Sequence, residues 1–293
     1  MFTAATAVLD IQGQYRVHTE HYRNPGAEHT MILVNGSLST TASFSQALRY
    51  LCPHFNLVLF DLPYAGQSRP HNRHERLLSR EDEADILLEL IEHFACDLLL
   101  SFSWGGIASL QALARRPPRL RQAVINSFSP LVNAPMLDYL ERGVRVLAAQ
   151  DREQIGALLN GTIGRHLPSL FKRYNQRHVA SLESFEYAQM QFHIETVLNN
   201  AGRSCASFAG QIDIPLLFVN GEWDEYTTAD DALLFTQYAP QSIFRRIAQA
   251  GHFLEMEHKS AWLQTRDSVL AFLKPLPAVN PRSAGAAISA LAG

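Results

Sequence analysis

Six residues, Ser101-Phe102-Ser103-Trp104-Gly105-Gly106, constrain this chain more than any other feature, because they join the apolar run Asp97-Leu98-Leu99-Leu100 to an amphipathic helical stretch. A strand, a sharp turn centred on a serine and a helix make a nucleophile elbow. Small residues must flank the serine at minus two and plus two, since the backbone folds back too tightly for larger side chains. Ser101 stands where glycine is usual, and serine is nearly as small.

A serine hydroxyl is a poor nucleophile until a neutral imidazole takes its proton and an acid holds that imidazole in the right tautomer. The chain supplies both partners in the order Ser, Asp, His that an elbow of this kind requires. Asp224 lies four residues past the strand-like Ile214–Asn220, in the loop Gly221-Glu222-Trp223-Asp224, with Glu225 beside it as an alternative acid. His252, in Ala250-Gly251-His252-Phe253, follows the strand-like Ile243–Ile247. Both positions fall at the carboxyl ends of expected strands, where parallel sheets build their sites.

The rest of the chain reads as strands alternating with helices, which predicts a mainly parallel sheet covered by helices on both faces. Residues 7–23 alternate like an antiparallel edge hairpin. Met31–Val34, Leu57–Phe60 and Ala123–Ile125 are short apolar runs suited to strands buried on both faces. Ala84, Leu87, Leu88, Ile91 and Phe94 recur at helical spacing, with Ser79 and Asp82 as an N-terminal capping pair. A last helix is expected from about His258 to Leu273.

The alternation breaks between Ser129 and Ile212. This polar, helix-patterned insertion reads as a lid, with Tyr187, Met190, Ile194 and Val197 on one apolar stripe that faces the serine in part. The expected division is therefore 1–128 for the first half of the core, 129–211 for the lid, 212–274 for the second half and 275–293 for a disordered tail. Asn35-Gly36-Ser37-Leu38 follows the strand expected to feed an oxyanion hole, in which the amide of Ser37, or of Leu38, pairs with that of Trp104. The turn Asp61–Ser68 is read as structural.

Composition narrows the function classes. A chain of 293 residues that is 47% hydrophobic and 18% charged can bury a large core, and its net charge of −3 gives no reason to expect nucleic acid. Cys52, Cys96 and Cys205 are scattered without metal-ligand spacing and read as free thiols of a reducing compartment. No signal peptide and no run of membrane-spanning length is evident, so a soluble cytoplasmic protein with no metal is expected. Between Gln154 and Leu182 there is no Asp or Glu, while Arg165, Lys172, Arg173 and Arg177 cluster in that span as a candidate surface for an acidic partner.

Asn35-Gly36-Ser37, Thr40–Phe44, Pro70-His71-Asn72, Ser101–Gly106, Asp224–Thr228 and Gly251-His252-Phe253 together resemble the 3-hydroxyacyl-acyl-carrier-protein acyltransferases of pseudomonads. That family includes the 3-hydroxyacyl-carrier-protein:coenzyme A transacylases of polyhydroxyalkanoate synthesis, also described as thioesterases, and the 3-(3-hydroxyalkanoyloxy)alkanoate synthase of rhamnolipid synthesis. The resemblance implies an alpha/beta hydrolase fold, a Ser103, Asp224, His252 triad, and an acyl carrier protein as partner. It implies no cofactor, with coenzyme A as a candidate acyl acceptor. Ser101–Gly106 and Leu167–Asn175 look more like the transacylase branch and Trp223 more like the synthase, so the transacylase is the first expectation and the synthase the alternative. The family's His-x4-Asp element corresponds to His178-x4-Glu183, where glutamate replaces aspartate and a structural role is expected. A small-ester esterase and a non-catalytic ligand receptor are the readings from other classes.

Overall fold

The computed structural model describes residues 3–73, 75–199 and 206–274. Cys205 and the tail from residue 275 lie outside the described residues.

The chain opens with the expected hairpin, strands β1 (Ala4–Ile11) and β2 (Tyr15–Tyr22), turned through Gln12 and Gly13. Next come β3 (Thr30–Val34), helix α1 (Ser45–Leu51), β4 (Asn56–Phe60), α2 (Arg80–His93), β5 (Leu98–Phe102), α3 (Gly105–Ala114) and β6 (Gln122–Asn126). Four helices then interrupt the alternation: α4 (Ala134–Ala148), α5 (Arg152–Gly161), α6 (Ser169–Ser181) and α7 (Ser184–Asn199). The chain returns through α8 (Ala206–Ala209), β7 (Leu216–Gly221), α9 (Ala229–Ala232), β8 (Ser242–Ile247) and α10 (Lys259–Leu273).

Among the described residues the strands form one sheet in the order β1-β2-β4-β3-β5-β6-β7-β8, with β2 antiparallel to both of its neighbours and every other pair beyond it parallel. The central strands are apolar on both sides because both sides are covered. Ile32, Val58, Leu99 and Phe218 point into a core closed by α2 and α3, while Met31, Leu57, Leu98 and Leu217 point into a second core closed by α1 and α10. Adjacent residues of one strand thus serve opposite layers, as the pleat demands. Ser79 and Asp82 form the capping box that starts α2, exchanging a 3.1 Å bond from the Asp82 amide and a 2.8 Å bond from the Ser79 amide.

Helices α4 to α7 have a core of their own, built from Leu140, Leu147, Ile155, Val179, Tyr187 and Ile194. Ala209 of α8, by contrast, is fully buried in the core beneath α3. The sheet itself resumes with β7 at Leu216. None of the described helices is long and apolar enough to cross a membrane.

Candidate active site

Strand β5 ends in a turn that forces Ser103 to φ +51°, the left-handed region that a non-glycine residue occupies only when its surroundings impose it. The Ser103 amide is fixed by a 2.8 Å bond to the Asn126 carbonyl, and α3 begins two residues later. The elbow needs a bare Gly105. A Cβ there would stand 2.4 Å from the Asn35 carbonyl oxygen and 2.9 Å from that of Val34, both backbone atoms of the neighbouring strand and its loop. Ser101, at minus two, is fully buried.

The structure brings Ser103, His252 and Asp224 into one hydrogen-bonded chain. Ser103 Oγ lies 2.8 Å from His252 Nε2, and His252 Nδ1 lies 2.8 Å from Asp224 Oδ2. A carboxylate only accepts, so Nδ1 carries the imidazole proton and Nε2 is left to accept from the serine. Asp224 and His252 are 4% and 2% exposed, so this pairing is shielded from water. Burial raises the Asp224 pKa, but its interaction with His252 and two bonds from Thr227 outweigh this, and the net shift is downward. The carboxylate is thus held ionised. Glu225 faces away, bonded to Arg165.

Three residues that sequence reasoning missed hold this chain in place. Thr227 donates its hydroxyl at 2.5 Å to Asp224 Oδ2 and its amide at 3.1 Å to Oδ1, where the Tyr226 amide also bonds at 2.9 Å. Ser127 donates its hydroxyl to the His252 carbonyl at 2.6 Å. Buried Glu257 accepts the amides of Gly251 and Phe253 at 2.7 and 3.1 Å. Only the first had a local signal, since an Asp followed three residues later by Thr forms a side-chain-to-backbone turn.

The Trp104 amide stands at the N-terminal end of α3, where backbone N–H groups have no intrahelical acceptor. Its indole is pinned between the His193 ring, 6.1 Å away and nearly parallel, and the Arg80 guanidinium at 5.4 Å. Ser37 and Leu38, the latter at φ +53°, line the same cavity as Ser103. Asn35 works structurally, accepting from Ser43 Oγ at 2.7 Å and donating to the Phe60 carbonyl at 3.2 Å. Asp61 likewise ties down its turn through the amides of Thr41 and Gln67.

An apolar pocket opens from Ser103 and His252 between the lid helices, walled by side chains that include Leu140, Leu147, Ile155, Met190 and Ile194. Met190 and Ile194 therefore reach the serine's cavity. Tyr187 does not line it: the side chain is 1% exposed inside the lid core, with its hydroxyl on the Val179 carbonyl. The expected basic cluster divides. Arg165 is neutralised by Glu225 and Lys172 Nζ bonds the Arg165 carbonyl at 2.7 Å, whereas Arg173 and Arg177 lie one turn apart on the exposed side of α6. His178 and Glu183 are not paired with each other; His178 Nε2 donates to the Leu38 carbonyl at 2.7 Å, and Glu183 forms an ion pair with Arg69.

A sheet of this order, with a strained serine after β5 and partners after β7 and β8, defines an alpha/beta hydrolase. A family model described as "alpha/beta hydrolase fold" matches residues 29–259, and the chain belongs to that family. It is 58% identical over 290 residues to the (R)-3-hydroxydecanoyl-ACP:CoA transacylase of Pseudomonas aeruginosa, covering 97% of this chain and 96% of the relative. To the protein of the same name from Pseudomonas putida it is 60% identical over 269 residues, covering 92% and 91%. Among solved structures, a hydrolase from Pseudomonas aeruginosa superposes with a TM-score of 0.75 at 18% identity, over 92% of this chain and 98% of that one. The enol-lactonase from Burkholderia xenovorans gives the same TM-score at 16% identity, over 92% and 100%. At these identities the solved structures speak for the fold alone.

Proposed function

We propose that the protein transfers an (R)-3-hydroxyacyl group from the phosphopantetheine thiol of an acyl carrier protein to the thiol of coenzyme A, through an ester on Ser103. The observation that carries this reading is the Ser103–His252–Asp224 chain at the mouth of an apolar cavity within the lid, in a chain so similar to two proteins named as transacylases. His252 Nε2 takes the Ser103 proton as Oγ attacks the thioester carbonyl, and Asp224 stabilises the imidazolium that forms. The oxyanion rests on the Trp104 and Ser37 amides. The tetrahedral intermediate collapses, the C–S bond breaks, and the departing sulfur takes the proton from His252.

Coenzyme A then reverses the sequence: His252 accepts the thiol proton, sulfur attacks the ester, and Ser103 recovers its proton. One thioester replaces another, so the net step needs no external driving force. Water as acceptor would give the free acid instead. Because three relatives at 58–60% identity share the transacylase name, the synthase, esterase and receptor readings are disfavoured.

For the carrier, Arg173 and Arg177, flanked on α6 by exposed Leu170 and Tyr174, form a cationic face suited to an acidic helix. The function is tested by incubating (R)-3-hydroxydecanoyl-carrier protein with coenzyme A and identifying products by mass spectrometry. Hydroxydecanoyl-coenzyme A is expected with the wild type and none with Ser103→Ala; free acid alone, or no product, refutes the transfer. The docking face is tested by Arg173→Glu with Arg177→Glu, which should raise the KM for the carrier substrate about tenfold or more and weaken its salt dependence. An unchanged KM removes α6 from the interface.

A further inference from the structure

A second space lies beside the triad. It is a solvent-open groove of about 1590 Å³ between α6, the loop after β3 and the loop after His252, and no residue lining it lines the acyl cavity. Its inner wall carries Phe102 and Phe253, whose rings lie 5.6 Å from the His252 imidazole. Ser39 and Thr40, immediately beyond the Ser37–Leu38 turn, lie on the same wall, closed by the His178 bond to the Leu38 carbonyl. Neither Ser103 nor His252 lines the groove; it approaches the base through the Phe102 and Phe253 rings and the oxyanion loop through Ser39.

Its chemistry is mixed in a particular way. Asn126, 4% exposed at the end of β6, has a buried Oδ1 with no donor among the described residues, and Asn175 of α6 has a buried Nδ2 with no acceptor. A buried amide atom without a partner is uncommon and calls for a reason. The outer end carries the Arg177 guanidinium, stacked 4.9 Å over the Tyr174 ring and exposed. The wall thus offers aromatic rings, unpaired amide atoms, the Arg177 cation and the Glu255 carboxyl, which accepts from the Tyr50 hydroxyl at 3.0 Å.

We propose that this groove holds the phosphopantetheine arm, first of the carrier and then of coenzyme A, with the thiol inward, its two amides along Asn126 and Asn175, and its phosphate against Arg177. This rests on the transacylase reading and adds the route by which both thiols reach Ser103. One groove for two arms means that they exclude each other. The first product must leave before coenzyme A enters, so transfer follows ping-pong kinetics and thiol-bearing carrier competes directly with coenzyme A.

The test combines hydrogen exchange on the wild-type protein with steady-state kinetics. Coenzyme A should slow amide exchange in peptides covering residues 39–45, 171–181 and 253–256, more than in those covering α4 and α5. Ala42→Trp and Ser181→Trp, bulky changes at two partly or fully exposed groove positions, should each raise the KM for coenzyme A and for the carrier substrate by about the same factor, tenfold or more. Thiol-bearing carrier should inhibit competitively against coenzyme A. If the wild type makes hydroxyacyl-coenzyme A while protection falls on α4 and α5 or nowhere, or while both variants keep wild-type KM values, the groove assignment is overturned and the transacylase reading stands. If the wild type makes no hydroxyacyl-coenzyme A, both fall.

Discussion

Replacing Asp224 by Asn removes one charge and leaves the shape of the side chain, so its effect isolates what the carboxylate does. Every group that touches Asp224 through Oδ1 is a backbone donor, the amides of Tyr226 and Thr227 at 2.9 and 3.1 Å. An asparagine must therefore keep its carbonyl oxygen there, which places its Nδ2 group where Oδ2 now faces His252 Nδ1 at 2.8 Å. Two donors cannot face each other. The imidazole must move its proton to Nε2, and Nε2 can then no longer accept from Ser103 at 2.8 Å. The same substitution in a serine protease triad lowers kcat by about 10⁴ through the wrong tautomer, which corresponds to about 5 kcal/mol of barrier. A loss of that size is expected here in the initial rate of hydroxydecanoyl-coenzyme A formation. Because the backbone bonds survive, the melting temperature should stay close to that of the wild type. A variant that folds normally and keeps more than a tenth of wild-type activity would refute the role given to Asp224.

Gly105→Ala should destabilise by about 2–3 kcal/mol or more in urea melts, since its Cβ would meet two backbone oxygens that cannot turn aside; a change under about 1 kcal/mol would contradict the elbow geometry. Ile194→Trp fills the cavity beside Met190, so kcat/KM for a ten-carbon chain should drop about tenfold or more relative to a six-carbon chain, and an unchanged ratio would place the chain elsewhere. Burial pushes the Glu255 carboxyl up to about 7, against an opposing bond from the Tyr50 hydroxyl. A raised carboxyl pKa means that the folded state holds more protons, so this group costs stability as pH rises from about 4.5 to about 7. Glu255→Gln should therefore raise the melting temperature relative to wild type at pH 8 more than at pH 5; equal differences at both would remove Glu255 as the source.

What could be read from the sequence is what is encoded locally. The apolar run Leu98–Leu100, the elbow at Ser103 and the glycines after it are neighbours in the chain, so strand, turn and helix are visible together. The capping pair Ser79 and Asp82 is legible for the same reason. Asp224 and His252 stood out because each follows a strand-like run. The supports are different: Ser127 reaches His252 across 125 positions, and His178 reaches Leu38 across 140. Nothing near either residue signals such a bond, since it exists only once the lid and sheet have packed. Tyr187 shows the converse limit. Its place on the apolar stripe with Met190 and Ile194 is correct, but a stripe cannot say which of its members face a cavity and which face the next helix. The division of the basic cluster was hidden likewise, because Arg165 meets Glu225 only when the loop before α6 lies over the loop after β7.

The most direct measurement of the central claim is a rapid-quench experiment with (R)-3-hydroxydecanoyl-carrier protein and no acceptor, followed by peptide mapping. The peptide containing Ser103 should carry one hydroxydecanoyl group, and adding coenzyme A should discharge it to hydroxydecanoyl-coenzyme A. An acyl group on any other residue, or product formed with Ser103 never acylated, would contradict the mechanism.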